Sequence, residues 1–212
     1  MTHPIAHAQI YAARRARLAA QLGDGGVAII PTAPEHARNR DSDFPYRHDS
    51  YFYYLTGFTE PNAWLVIDAA GRSTMFCQPK DLEREIWDGY RLGPDAAVSA
   101  LGMTAAVSVA ELDKQLPKLL ENQHTVWYPF ATHKGLETRV DGWLNAVRAR
   151  VRFGAQCPSQ QRDACGPLDE MRLIKDAHEQ DVMRRAAQIS AQAHIRAMQT
   201  SARMLRAGQD VR

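Results

Sequence analysis

Acidic residues and a histidine gather at Asp41-Ser42-Asp43 and His48-Asp49. Carboxylate oxygens beside an imidazole form a set that can hold a divalent metal ion. The same residues serve equally to cap turns and to pair with Arg38, Arg40 and Arg47, which is the commoner use in a polar loop. A second constellation is the run EIWDGYRLG, Glu85 to Gly93, which places Trp87, Tyr90 and Arg91 around a helix end. A ring beside a guanidinium makes a wall for a peptide through stacking and hydrogen bonding. The plain alternative has Trp87 in the core and Arg91 on the surface. Arg148, Arg150 and Arg152 cluster near the end of a helix, where compensation of the dipole suffices to explain them. His178 and Glu179 open a long helix and His194 lies on its flank, positions that suit surface or interdomain residues better than ligands. Cys157 and Cys165 have no histidine near them, so a nucleophilic thiol is not supported. The chain contains no phosphate-binding glycine loop, no H-E-x-x-H, no G-x-S-x-G and no zinc-type cysteine spacing.

The first cluster belongs to a longer stretch, Arg40 to Ile67, crowded with Phe44, Tyr46, Tyr51, Phe52, Tyr53, Tyr54 and Phe58. The chain as a whole is only 8% aromatic. These rings must be buried somewhere, and each tyrosine hydroxyl needs a partner. The stretch reads as an ordered loop feeding a strand, with turns at Thr56-Gly57 and Glu60-Pro61. Before it, residues 5–22 have helical spacing and end at Gly23 and Gly25, and Gly26 to Ile30 is a short buried strand closed by Pro31. Tyr51 to Thr56, Ala63 to Ile67 and Ser73 to Cys77 have strand composition, the last two joined as a hairpin.

Asp81 is placed to cap a short helix, Leu82 to Asp88, broken by Gly89, Gly93 and Pro94. Asp95 is placed to cap another, ending at Leu101. Val107 and Val109 suggest a brief strand, Ala110 to Leu120 a helix shortened or kinked by Pro117, Thr125 to Tyr128 a strand, and Leu136 to Arg150 a helix. Residues 151–169 read as a connector. Ala177 to Arg206 is the longest helical signal, with Val182, Ala186, Ile189, Ala193, Ala197 and Leu205 on one stripe and Gly208 as a stop. Alternating strands and helices over the first ~150 residues argue an α/β domain with a partly parallel sheet. The stripe of the long helix calls for a partner surface, and Asp210 stands where a further helix would be capped. The expectation is a truncated chain with a second domain to follow.

The totals narrow the classes. With 212 residues, 45% hydrophobic and 24% charged, the composition is that of a soluble globular protein. A net charge of +2 does not suggest nucleic acid or an anionic membrane as partner. Three cysteines without a C-x-x-C pair fit a reducing, cytoplasmic setting better than a disulfide scaffold. No signal peptide and no membrane-spanning run is visible.

The run DSDFPYRHDSYFYYLTGFTEPNAWLVI resembles the N-terminal domain of bacterial aminopeptidase P, the Xaa-Pro aminopeptidases. REIWDGYRLGPDAA looks like that family's next block, and DEMRLIKDAHEQDVMRRAAQISAQAHIRAM is similar to its domain junction and first catalytic-domain helix. Met103 to Pro158 matches only loosely. The resemblance implies residues 1–170 as an N-terminal domain of the creatinase/aminopeptidase P type, a mixed β-sheet flanked by helices. It implies 171–212 as the start of a pita-bread catalytic domain.

Further implications concern chemistry. Such enzymes release the first residue from peptides with proline second, using two divalent metal ions, usually manganese, held by two aspartates, a histidine and two glutamates. Those ligands lie downstream in the family, so the resemblance gives this chain no catalytic and no metal-binding residue. It implies instead that this segment roofs an active site, supports a dimer or tetramer, and is inactive alone. Trp87 matches a family tryptophan at the substrate cleft, and Arg152 and Asp41 correspond to a family arginine and aspartate near that cleft. A prolidase and a stand-alone binding or assembly module are the alternatives. The blocks around Tyr46 and Trp87 favour aminopeptidase P over prolidase.

Overall fold

The computed structural model describes residues 8–207. Six strands form one sheet: β1 (Gly26–Pro31), β2 (Trp64–Asp68), β3 (Ser73–Cys77), β4 (Ala105–Ser108), β5 (Thr125–Tyr128) and β6 (Gln160–Asp163). Their order is β4-β3-β2-β1-β5-β6. β1–β2 and β2–β3 are antiparallel, whereas β1–β5, β3–β4 and β5–β6 are parallel, so the sheet is mixed. The β2–β3 hairpin stands as the sequence suggests. β6 lies inside the stretch read as a connector. Its four residues, Gln-Gln-Arg-Asp, are all exposed, and an edge strand of polar residues carries no hydrophobic signal.

Both faces of the sheet are covered, which is why β1 and β5 are buried along their whole length. On one face Val27, Ile29, Val66, Phe76, Val126 and Tyr128 pack with apolar side chains of α5 (Leu112–Leu120) and α6 (Leu136–Arg148). Period-two alternation turns Ala28, Ile30, Leu65, Ile67, Met75 and Cys77 to the other face. There α1 (Ala8–Ala19) contacts both α2 (Ser50–Thr56) and α4 (Gly93–Leu101), and all three contact the strands. α3 (Leu82–Asp88) joins β3 to α4.

The main correction falls on Tyr51 to Thr56, expected as a strand and found as α2. Aromatic composition favours strands only weakly. Here the ends decide. The Asp49 carboxylate accepts the Tyr51 and Phe52 amides at 2.8 and 2.9 Å. Gly57, at φ 68°, closes the other end by donating its N–H to Tyr53 O. Similarly, Gly93 and Pro94 open α4 rather than break a helix, because proline is tolerated in a first turn, and Asp95 lies in that turn instead of capping it. Val109 belongs to a 3-10 turn, Val109–Glu111, that leads into α5, so the strand expected there lies earlier, at Ala105–Ser108, and the helix starts two residues later. Ile5 to His7 and Asp210 lie outside the described residues.

Two buried arginines tie the helices of one face together. Arg15 donates to Leu55 O at 3.0 Å, Leu101 O at 2.9 Å and Gly102 O at 2.7 Å, so one guanidinium satisfies the C-terminal carbonyls of both α2 and α4. Burial lowers its pKa to about 10. Arg14 donates to Tyr54 O and lies over the Tyr54 ring at 4.2 Å.

The chain forms two compact units that divide between Leu168 and Asp169, within α7 (Cys165–Leu173). The second unit contains α8 (Ala177–Arg206), opened by a capping box of Asp176 and Glu179, with its boundaries where the sequence places them. No residue of α8 is buried.

Candidate functional site: a polar cleft beside an exposed tryptophan

The aromatic stretch is anchored where β1 ends. Thr32 Oγ1 and the Tyr46 hydroxyl are 2.7 Å apart, and the same hydroxyl donates to Ala33 O. Burial pushes the Tyr46 phenol up. His48 stacks on Tyr53 with ring centroids 4.2 Å apart. Burial also moves the His48 imidazole downward, helped by Arg47. Asp49 faces His133 across 3.5 Å. Burial alone would raise the Asp49 carboxyl, but the nearby His133 imidazole and the bonds from the Phe52 and Tyr51 amides outweigh it and hold the group below its usual value.

The residues weighed as metal ligands are therefore dispersed. Asp41 is exposed on a small turn bridged between Ala37 and Asp43, where Asn39 Oδ1 accepts the Asp41 and Ser42 amides. Asp49 is a helix cap, and His48 is a stacking partner. Among the described residues no three His, Cys, Asp or Glu side chains gather to hold a metal ion.

Three segments meet at an open cleft of about 680 Å³. Glu35, Asp43 and Tyr46 come from the loop between β1 and α2, Glu60 from the turn before β2, and Arg84 and Tyr90 from the α3 region. Burial raises the Glu60 carboxyl, although the Leu92 amide bonds to it. Asp43 lies two residues after Asp41, and Arg84 and Tyr90 lie three residues to either side of Trp87, but neither Asp41 nor Trp87 is among the residues that line the cleft. Trp87 itself is 85% exposed on α3. The alternative of Trp87 as a core residue is thereby removed, while Arg91 lines the cleft. Arg152 is exposed on a separate 3-10 turn, Val151–Phe153, after α6. Sequence reasoning missed Glu60, Lys80 and Glu85 as partners in this region. Their roles depend on backbone groups brought close only by folding.

A family model for the aminopeptidase P N-terminal domain matches residues 11–127. The chain belongs to that family. The Xaa-Pro aminopeptidase of Escherichia coli strain K12 is 38% identical over 195 residues, covering 90% of this chain and 44% of the relative. Human Xaa-Pro aminopeptidase 3 is 27% identical over 188 residues, covering 85% and 36%. Among solved structures, Pseudomonas aeruginosa aminopeptidase PepP superposes with a TM-score of 0.87 at 42% identity, covering 90% of this chain and 44% of that one. The aligned part thus spans less than half the length of these aminopeptidase P relatives. The mixed sheet flanked by helices and followed by a long helix is the arrangement these relatives share over that part.

Proposed function

We propose that this chain is the N-terminal part of an Xaa-Pro aminopeptidase, a proline-specific metallopeptidase that removes the first residue from peptides with proline in second place. The observation that carries the reading is the agreement over 90% of the chain with aminopeptidase P structures, one of them determined in complex with substrate. The chemistry belongs to a pita-bread domain with two divalent metal ions, manganese in the favoured case. When bound, such ions activate a water and polarise the scissile carbonyl.

This domain's part is to shape access to the peptide and to support a dimer or tetramer. Trp87, Arg152 and Asp41 are its substrate-facing candidates. The exposure of Trp87 supports this role, because a tryptophan left largely in solvent is poorly explained by packing within its own domain. The setting is cytoplasmic. No described helix is long and apolar enough to cross a membrane.

The test compares substrates on the complete enzyme that contains this chain. It should cleave Xaa-Pro-Yaa tripeptides with higher kcat/KM than Xaa-Pro dipeptides. Strict preference for dipeptides would identify a prolidase instead.

A further inference from the structure

Residues 80–93 leave the sheet after β3 and return as a closed excursion. Its neck is tight. A Cβ on Gly93 would lie 3.3 Å from both Cβ and N of Lys80, and Gly93 has φ +74°, so a side chain is disfavoured there twice over. Glu60 Oε1 accepts the Leu92 N–H at 2.8 Å and fixes the returning strand of the neck. At the outgoing end, Asp81 caps α3 by accepting the Glu83 and Arg84 amides, both at 3.1 Å.

Inside the excursion one ammonium serves three partners. Lys80 Nζ donates to Glu85 Oε1 at 2.7 Å and to Arg91 O at 3.0 Å, and lies 4.1 Å from the centroid of the Tyr90 ring. Glu85 Oε1 also accepts the Arg91 N–H at 3.1 Å. The bond from Lys80 is foremost in holding the Glu85 carboxyl below its usual value. The polar groups are thus tied to one another and to the backbone of the neck, with the Lys80 side chain still half exposed, while Leu82, Ile86 and Trp87 point into solvent.

This is the reverse of what apolar side chains do unaided. A seven-residue helix has too few internal hydrogen bonds to hold itself, and its apolar side chains gain by folding back onto the domain. Something must keep it standing, and the Lys80–Glu85–Arg91 ring is in place to do so. We infer that Lys80, acting with Glu85, is a positioning residue that holds Trp87 in the orientation in which it meets the peptide substrate. This rests on the proposed cleft role of Trp87.

The experiment is a double-mutant cycle on the complete enzyme, assayed with an Ala-Pro-Ala tripeptide, using Lys80→Met, Trp87→Ala and the pair. Lys80→Met should lower kcat/KM about tenfold, chiefly through KM, with the melting temperature unchanged. Lys80→Arg, which keeps the charge, should recover most of the loss, and Glu85→Gln should resemble Lys80→Met. In the Trp87→Ala background, Lys80→Met should have no further effect. An undiminished Lys80→Met effect in that background, or wild-type kinetics for Lys80→Met alone, overturns the positioning role while leaving the role of Trp87 intact. Wild-type kinetics for Trp87→Ala overturn the role of Trp87, and the positioning role with it.

Discussion

Asp49 does two jobs with one carboxylate. It caps α2 through the Tyr51 and Phe52 amides and faces His133, so it joins the aromatic stretch to the loop that leads into α6. Removing a cap of this kind costs about 1–2 kcal/mol, so Asp49→Ala should lower the chemical-denaturation stability by that amount. The pH dependence has a definite sign. The folded carboxyl lies below its ordinary value of 3.8. Its contribution is therefore fully present above that value and is lost as pH falls through the lower folded value. Melting profiles between neutral pH and about pH 3 should fall more steeply for the wild type than for Asp49→Asn. Parallel profiles would remove Asp49 from the acid response. Asp41, earlier in the same loop, shows why residue types alone mislead. It shares the acidic composition of Asp49, yet it stands exposed on a turn organised by Asn39.

At the scale of elements, the end residues of α2 decide its structure. The aromatic run Tyr51 to Tyr54 has strand composition, but Asp49 and Gly57 fit the two ends of a helix, and the rings pack well from one. Gly57 is constrained further by its neighbour. A Cβ there would come within 2.4 Å of the Tyr11 ring, at a φ of +68°. Gly57→Ala should therefore destabilise the domain by about 2–4 kcal/mol, from the left-handed backbone penalty and the overlap together. A loss below about 0.5 kcal/mol in urea unfolding would mean that Tyr11 moves aside freely. Where hydrophobic periodicity was strong, as in β5, α6 and α8, the sequence was enough to place the element. It was not enough for β6, whose polar residues are held by pairing with β5. Nor does it reveal the function of Arg14 and Arg15, which depends on the carbonyls that α2 and α4 present to them. The cleft was legible only in part. Trp87 stood out by type, whereas Glu60 and Lys80 act on backbone groups that no local pattern foretells.

For the whole molecule, the sheet is a scaffold with helices on both faces, and its notable polar surface is built from loops at strand ends. That division of labour is common where a rigid core presents recognition groups. The proposal places peptide recognition on this chain and hydrolysis on a metal-bearing domain. The same proposal gives α8, a long amphipathic helix with no buried residue, a surface to pack against. The direct measurement is hydrolysis of an Xaa-Pro-Yaa peptide by purified residues 1–212 in manganese buffer, beside the complete enzyme under the same conditions. The complete enzyme should release the N-terminal residue, and residues 1–212 should release none. Chelator-sensitive turnover by residues 1–212 alone would contradict the assignment of chemistry to a separate domain.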